Sequence, residues 1–400
     1  MAKKNNDFFK EKKAWSVVKD ELLGCYLKPY LQKILYTRHS IVYVDCFAGK
    51  GAFEDGNPGS PLIALNTMRD CLNQTKMTTW SIQPYFIDLN YADDLKKNLS
   101  EYPRVNIISG KYEDEIEGIL QNKRGSNVFL YVDPYGIKAL DCTLFDAFAN
   151  YGFNSIELLI NMNSFGFIRE GCRVLGALFK DEEIMDDLVE YESTRLASDQ
   201  KSKEALDRIA GGEYWVDIIK DYQKGVISVY EAEARFADEY CARMRKSYNY
   251  VLNMPLRIKR GQVPKYRMIH ATNHASGALI MVDNIFGRWE LMQDIQTGGQ
   301  QSFWEEDVDN ELIDNEVIKE KVVKHVSKVK SFTRLNLVMA DFYCTYGVLC
   351  PTKNIKDIYR DLEREGSLEV KRSPSQTSTG RLASFFADEK GKTTELRWDR

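Results

Sequence analysis

No two cysteines in the 400-residue chain form a Cys-x-x-Cys pair. Cys25, Cys46, Cys71, Cys142, Cys172, Cys241, Cys344 and Cys350 are scattered, which leaves no readable zinc knuckle or dithiol redox motif. Such isolated cysteines are expected as small buried apolar side chains. Long apolar runs are missing too: nothing approaches the roughly 18 residues that a membrane helix needs. The opening MAKKNNDFFKEKK is charged and has no apolar stretch, so it does not read as a secretory leader. A cytoplasmic location with no membrane association is expected. Histidine is scarce, four in all. His270 and His274 have the spacing of a helical metal pair, but they fall in a strand-like run, where four residues span roughly 13 Å. No metal is expected. Excess positive charge is also lacking: a net charge of −4 excludes coating nucleic acid by bulk charge, and any such contact has to come from local basic patches. No serine or cysteine nucleophile stands beside an evident general base.

What is present is an alternation of helix-like and strand-like segments. In residues 14–35, Trp15, Val18, Leu22, Tyr26, Tyr30 and Ile34 recur at three and four, the period of an amphipathic helix, with a kink or break expected at Pro29. Five short β-branched and aromatic runs come next: IVYVD (41–45), IQPYFID (82–88), VNIIS (105–109), VFLYVD (128–133) and IELLIN (156–161). Such runs read as buried parallel strands. Strands alternating with helices predict an α/β, Rossmann-like doubly wound sheet, with ligands at the carboxyl ends of its strands. Residues from about 165 to 245 read as a helical insertion. YVLNMPLRI (250–258) and YRMIHATNH (266–274) read as a hairpin returning to the sheet. The expected organisation is a Rossmann domain over 1–290, a polar connector over 291–325, and a small domain over 326–400. In that last part, two helices precede the strand-like LEVKR, FFADE and TELRW, a winged-helix order.

Three strand ends carry the candidate chemistry. The first reads VDCFAGKGAFEDG. Gly49 and Gly51 allow a tight turn and a close backbone approach, and Asp45 is placed to accept from a ligand ammonium or from the loop's own amides. A dinucleotide would need Gly-x-Gly-x-x-Gly and a pyrophosphate on a helix N-terminus. Here the third position is Glu54, and the loop runs on through EDGNPGSP. S-adenosylmethionine (SAM) carries no phosphate and suits the same loop. Ser60, followed by Pro61, reads first as a helix N-cap, and otherwise as a cofactor-binding residue at the end of the loop. At the second strand end, Asp88 is placed for ribose hydroxyls or for a turn. The fourth reads VFLYVDPYGIKAL: Asp133 and the Pro134 carbonyl could accept hydrogen bonds from a substrate N–H, and Tyr135 could stack on a planar base. A simple strand-terminating turn is the other reading.

In the tail, Lys353, Lys356, Arg360 and Arg364 are matched by Asp357, Asp361, Glu363 and Glu365, as on a salt-bridged surface helix. The stretch carrying Lys371, Arg372 and Arg381 has no acid and is the better phosphate contact. Protein docking or a purely structural wing would fit the same segment.

Taken together, WSVVKDELLGCYL, YVDCFAGKGAFEDGNPGSPLIAL, YVDPYG followed by IELLINMN, and TKNIKDIYRDLEREGSLEVKR resemble the three-Cys-motif partner family. The resemblance is fullest from about 15 to 170 and looser over the hairpin and tail. It implies a class I methyltransferase-like fold, SAM as cofactor, and a three-Cys-motif protein related to radical-SAM enzymes as partner. The nearest functional analogues look like the adenine-N6 methyltransferases of RNA and DNA. By that likeness Phe47, Gly49 and Gly51 map to the cofactor loop, Asp88 to the ribose acid and Asp133 to the catalytic turn, while Lys19 and Trp15 would cover the cofactor. Those enzymes carry Asp-Pro-Pro-aromatic, whereas this chain has Asp133-Pro134-Tyr135-Gly136. The expected activity is SAM-dependent N-methylation of a nucleic-acid base, adenine favoured. The alternatives are a non-catalytic or regulatory SAM-fold partner protein, and a methyltransferase for protein or small molecules.

Overall fold

A computed structural model describes residues 9–12, 14–75, 81–134, 136–186, 200–256, 266–288, 314–389 and 391–399, with backbone alone at 14, 15, 185, 186, 256 and 266. The strand-like runs become β1 (Ile41–Asp45), β2 (Ile82–Asp88), β3 (Asn106–Ser109), β4 (Asn127–Val132) and β5 (Ser155–Met162). They join β6 (Tyr250–Leu256) and β7 (Tyr266–Thr272) in one sheet, ordered 3-2-1-4-5-7-6. β1 to β5 run parallel, and β7 is antiparallel to both its neighbours. Central strands need apolar residues on both faces, and β1, β4 and β5 are buried along their whole length. β3 departs from the buried reading: it forms the sheet edge, and its residues are half-buried or exposed.

Helix α1 (Ala14–Ile34) precedes β1 and runs unbroken through Pro29, so the expected break does not form. Its Leu22, Leu23, Tyr26, Leu27 and Leu31 are fully buried. The crossovers are α2 (Ser60–Thr75), α3 (Ala92–Asn98), α4 (Tyr112–Leu120) and α5 (Cys142–Ala149). Between β5 and β6 lie α6 (Ser164–Val174), α7 (Glu183–Asp186), α8 (Gln200–Ala210), α9 (Tyr214–Gln223) and α10 (Val229–Met244), the helical insertion read from the sequence. Its core stacks Phe167 on Phe236 at 4.0 Å, with Trp215 edge-on to Phe167. Ser228 and Glu231 start α10 with a reciprocal capping box. The buried Glu233 of α10 accepts from Arg267 of β7 at 2.5 and 2.7 Å and from Ser164 of α6, tying three elements together.

The described residues from His274 onward form a second compact unit. It holds α11 (Ala275–Gly287), α12 (Asn315–Val326), β8 (Thr333–Arg334), α13 (Leu335–Tyr346), α14 (Thr352–Arg364), β9 (Leu368–Ser373) and β10 (Thr393–Trp398), with an antiparallel sheet ordered 8-10-9. The unit therefore starts before residue 290, the boundary drawn from sequence. The reason is α11, which buries Ala278, Leu279, Met281 and Val282. Its Asp283 accepts from the Thr352 amide at 3.0 Å and hydroxyl at 2.8 Å, holding the start of α14. Of the expected connector, 291–313 lies outside the described residues. Its end is helix α12, because Ile318, Val322 and Val326 recur on one buried face. FFADE forms no strand; β9 and β10 pair directly from Leu368–Trp398 to Ser373–Thr393.

Candidate active site

A pocket opens at the carboxyl ends of β1, β4 and β5, beneath the first turns of α1. Asp45 ends β1 with its side chain fully buried. Its carboxylate accepts from the Ser60 hydroxyl at 2.7 Å and from the Phe47 amide at 3.3 Å. Burial pushes this carboxyl up to about 7, against the lowering effect of those two donors. Ser60 is thus turned back onto the strand end, whereas an N-cap side chain accepts from its own helix.

Gly49 and Gly51 have φ of +58° and +79°, where side chains are strained. A Cβ at Gly49 would lie 2.9 Å from the Phe9 ring, and one at Gly51 2.7 Å from Leu95. The glycines are small here because the protein packs on them. The segment Phe9–Lys12 straps the loop: the Phe9 carbonyl accepts from the Glu54 amide at 2.8 Å, and Lys12 Nζ donates to the Pro58 carbonyl at 2.7 Å. Phe9 packs with Phe53 and Tyr91, with Lys50 over its ring. Phe47 lines the pocket beside the Tyr112 ring.

Asp88 ends β2, where its carboxylate accepts from the amides of Gly49 (2.9 Å), Asn90 (2.8 Å) and Tyr91 (2.7 Å). This is the turn-forming arrangement, and it also commits the Gly49 N–H. Asp133, just past β4, accepts from Lys19 Nζ at 3.0 and 2.8 Å, from Asn161 Nδ2 at 2.7 Å, and weakly from the Tyr131 hydroxyl at 3.5 Å. Lys19 thereby lies in the pocket wall, paired with the carboxylate of the β4 turn. Pro134 lines the same wall. Tyr135 and the Trp15 side chain lie outside the described residues.

Two pocket residues escape the sequence reading. Asp20, one position after Lys19, is buried and pairs with Lys12 at 2.7 Å; burial pushes its carboxyl up to about 6, opposed by Lys12 and Lys19 and reinforced by Asp133. Asn161, on β5, is 4% exposed, and its Oδ1 has no hydrogen-bond partner among the described residues. Neither carries a local motif: Asp20 reads as one polar residue on a helix, and Asn161 as the end of an apolar strand. The pocket wall carries two carboxyl groups, Asp20 and Asp133, against one ammonium group, Lys19, so with both carboxyls ionised it favours a ligand of net positive charge. Among the described residues, no group of three or more His, Cys, Asp or Glu side chains could hold a metal ion, and no helix is long and apolar enough to cross a membrane.

In the second unit, Arg372 is drawn inward. It donates to Glu363 at 2.7 and 2.6 Å and to the Phe385 carbonyl at 2.8 Å, leaving its side chain 9% exposed. The structure withdraws it as a phosphate contact. Lys371 lies over the Phe332 ring at 3.7 Å, and Arg381 is exposed. On α14, Arg360 pairs with Asp357 and Arg364 with Asp361.

No family model matches the chain, and comparison with curated proteins returns no match. Solved structures similar to parts or all of it include three proteins. A putative methyltransferase, yhhF from Escherichia coli, is 16% identical, with 34% of this chain and 68% of that one covered at a TM-score of 0.22. The plantazolicin methyltransferase BamL, solved with a triazolic desmethyl-plantazolicin analogue and SAH, is 13% identical over 65% and 85% at 0.29. Trm1 from Pyrococcus horikoshii, in complex with SAM, is 10% identical over 99% and 93% at 0.30. The strand order, with its single reversed strand, β7, makes the sheet Rossmann-like.

Proposed function

We propose that the chain is a SAM-dependent methyltransferase acting on an amino group of a nucleic-acid base, adenine favoured. The observation that carries this reading is the carboxylate-rich pocket over a glycine loop whose Gly49 amide is already committed to Asp88. Such a loop is poorly placed for a pyrophosphate and well placed for a cation. When bound, SAM would supply an activated methyl group on a sulfonium, with Lys19, Asp20 and Asp133 as the residues that would hold it, and the amine that accepts the methyl would release its proton to solvent. The chain's own contribution is alignment, which supplies much of the rate in an in-line displacement. Asp20 and Asp133 would provide negative potential, Lys19 would offer a partner for a carboxylate, and the Pro134 carbonyl, in the pocket wall, would offer an acceptor to the amine. The four sequence motifs, in their order, also support membership of the three-Cys-motif partner proteins. The helix–helix–hairpin order of the second unit supports a winged-helix reading, with Lys371 and Arg381 left as basic contacts.

A second reading, a non-catalytic SAM-fold partner protein, is favoured by the three donor groups, Lys19, Asn161 and Tyr131, that occupy Asp133. Calorimetry with SAM, followed by labelled methyl transfer to RNA and DNA oligonucleotides and nucleoside analysis, separates the two. SAM binding with label in N6-methyladenine supports the enzyme. SAM binding without transfer to any acceptor supports the partner protein, and no SAM binding overturns both.

A further inference from the structure

We propose that Asn161 Oδ1, rather than the Asp133 carboxylate, is the side-chain acceptor that recognises the amino group to be methylated. The inference rests on the methyltransferase reading. A carboxylate offers roughly four lone-pair positions. At Asp133 these meet two contacts from Lys19, one from Asn161 and one from Tyr131. Asn161 presents the opposite case. One N–H of its Nδ2 goes to Asp133, and its Oδ1 is buried with no hydrogen-bond partner among the described residues.

That amide is oriented by its neighbour. Exchanging its nitrogen and oxygen would set an acceptor 2.7 Å from Asp133 Oδ1, a repulsive contact, so the oxygen has one permitted direction. The other asparagine at this strand end is different: Asn163 Oδ1 accepts from the Gly166 amide at 2.8 Å and caps α6. An unmatched buried acceptor is costly unless a ligand donor meets it.

Topology says which ligand. β5 lies beside β4, with Val132 opposite Ile160, and β4 lies between β5 and β1. Asn161 therefore stands about 10 Å, two strand spacings, from the glycine loop. With the cofactor held on the loop, an acceptor base would meet the pocket from that side. Asp133 is then a positioning residue, which holds the amide of Asn161 and keeps Lys19 in the wall.

The test titrates protein saturated with SAH with adenosine and with N6,N6-dimethyladenosine, followed by ligand-observed NMR. The dimethyl compound keeps the base and lacks the N–H donor. The wild type is expected to prefer adenosine by about tenfold, the scale of one neutral hydrogen bond with its partner left unmatched. Asn161→Ala, compared at saturating SAH, should reduce the preference to within about twofold. Asn161→Ser, which keeps an acceptor and more of the volume, should retain part of the preference and serves if the alanine variant does not fold. Asp133→Asn should weaken the preference by freeing the amide to turn. A preference that survives Asn161→Ala, or a wild type with none, overturns the proposal. Failure of the wild type to bind SAH overturns the methyltransferase reading instead.

Discussion

Asp45 and Asp20 are carboxylates held protonated into a range where free ones are ionised. Burial raises them to about 7 and about 6, from an ordinary 3.8. Between these limits the folded protein keeps protons that the unfolded chain has released. Stability from these groups is therefore greatest near pH 4, falls as the pH rises, and levels off above 7. Asp45→Asn keeps the shape and removes the penalty. At ~1.4 kcal/mol per pH unit of displacement, it should stabilise the protein at pH 8 by roughly 1–4 kcal/mol and flatten the slope, as thermal melts between pH 5 and 8 will show. Ligand binding should run the other way. A cation binds better to ionised Asp20, so SAM affinity should rise several-fold, about 3- to 10-fold, from pH 5 to 7.5. Asp20→Asn should remove that rise in calorimetry; a pH-independent wild type would exclude Asp20 from the cation's surroundings. The glycines, Asp45 and Asp133 were legible because each sits in a local strand-end motif. Asp20 and Asn161 were not, because what distinguishes them is the neighbours that folding brings.

At the scale of elements, the glycine loop and the buried ion pair make separate demands. Gly51→Ala meets both a positive φ and the Leu95 side chain 2.7 Å away. It should destabilise by about 1–3 kcal/mol, measured by urea unfolding, and loosen the loop. Arg267→Met leaves Glu233 charged and buried between α6, α10 and β7, and should cost about 3–5 kcal/mol. Adding Glu233→Leu should recover most of that loss, and a double variant as unstable as the single one would show that packing, not charge, dominates there. Strands β1, β2, β4 and β5 were readable because buried strands need uninterrupted β-branched and aromatic runs. β3 misled because an apolar run says nothing about which strand takes the edge. The polar stretch before Val326 concealed α12, whose three core contacts are too sparse to stand out among charges.

At the scale of the molecule, the sequence placed the join between units at 290, while α11 belongs to the second unit. A fragment beginning at residue 274 should fold cooperatively. One beginning at 314 uncovers the partners of Leu279, Met281 and Val282, and its midpoint should drop by at least about 10 °C, since ~1 kcal/mol moves a domain of this size by roughly 4–8 °C. Circular dichroism melts of the two fragments decide it, and equal midpoints would return α11 to the first unit.

The late arrival of β7 bears on how the chain is made. Glu157, in the middle of β5, is sheltered by Tyr26, His270 and Thr272, the last of them 115 residues further along. On a ribosome adding about 5–20 residues per second, β5 waits some 5–25 s for its outer neighbour. Throughout that interval it shows an unpaired flank, the kind of flank that captures other nascent chains. An inward carboxylate at the centre of the strand makes such capture unfavourable, and it becomes harmless once the hairpin closes over it. Glu157 is therefore expected to guard that flank during synthesis, and its replacement by an apolar residue should show first in the insoluble fraction of freshly made protein.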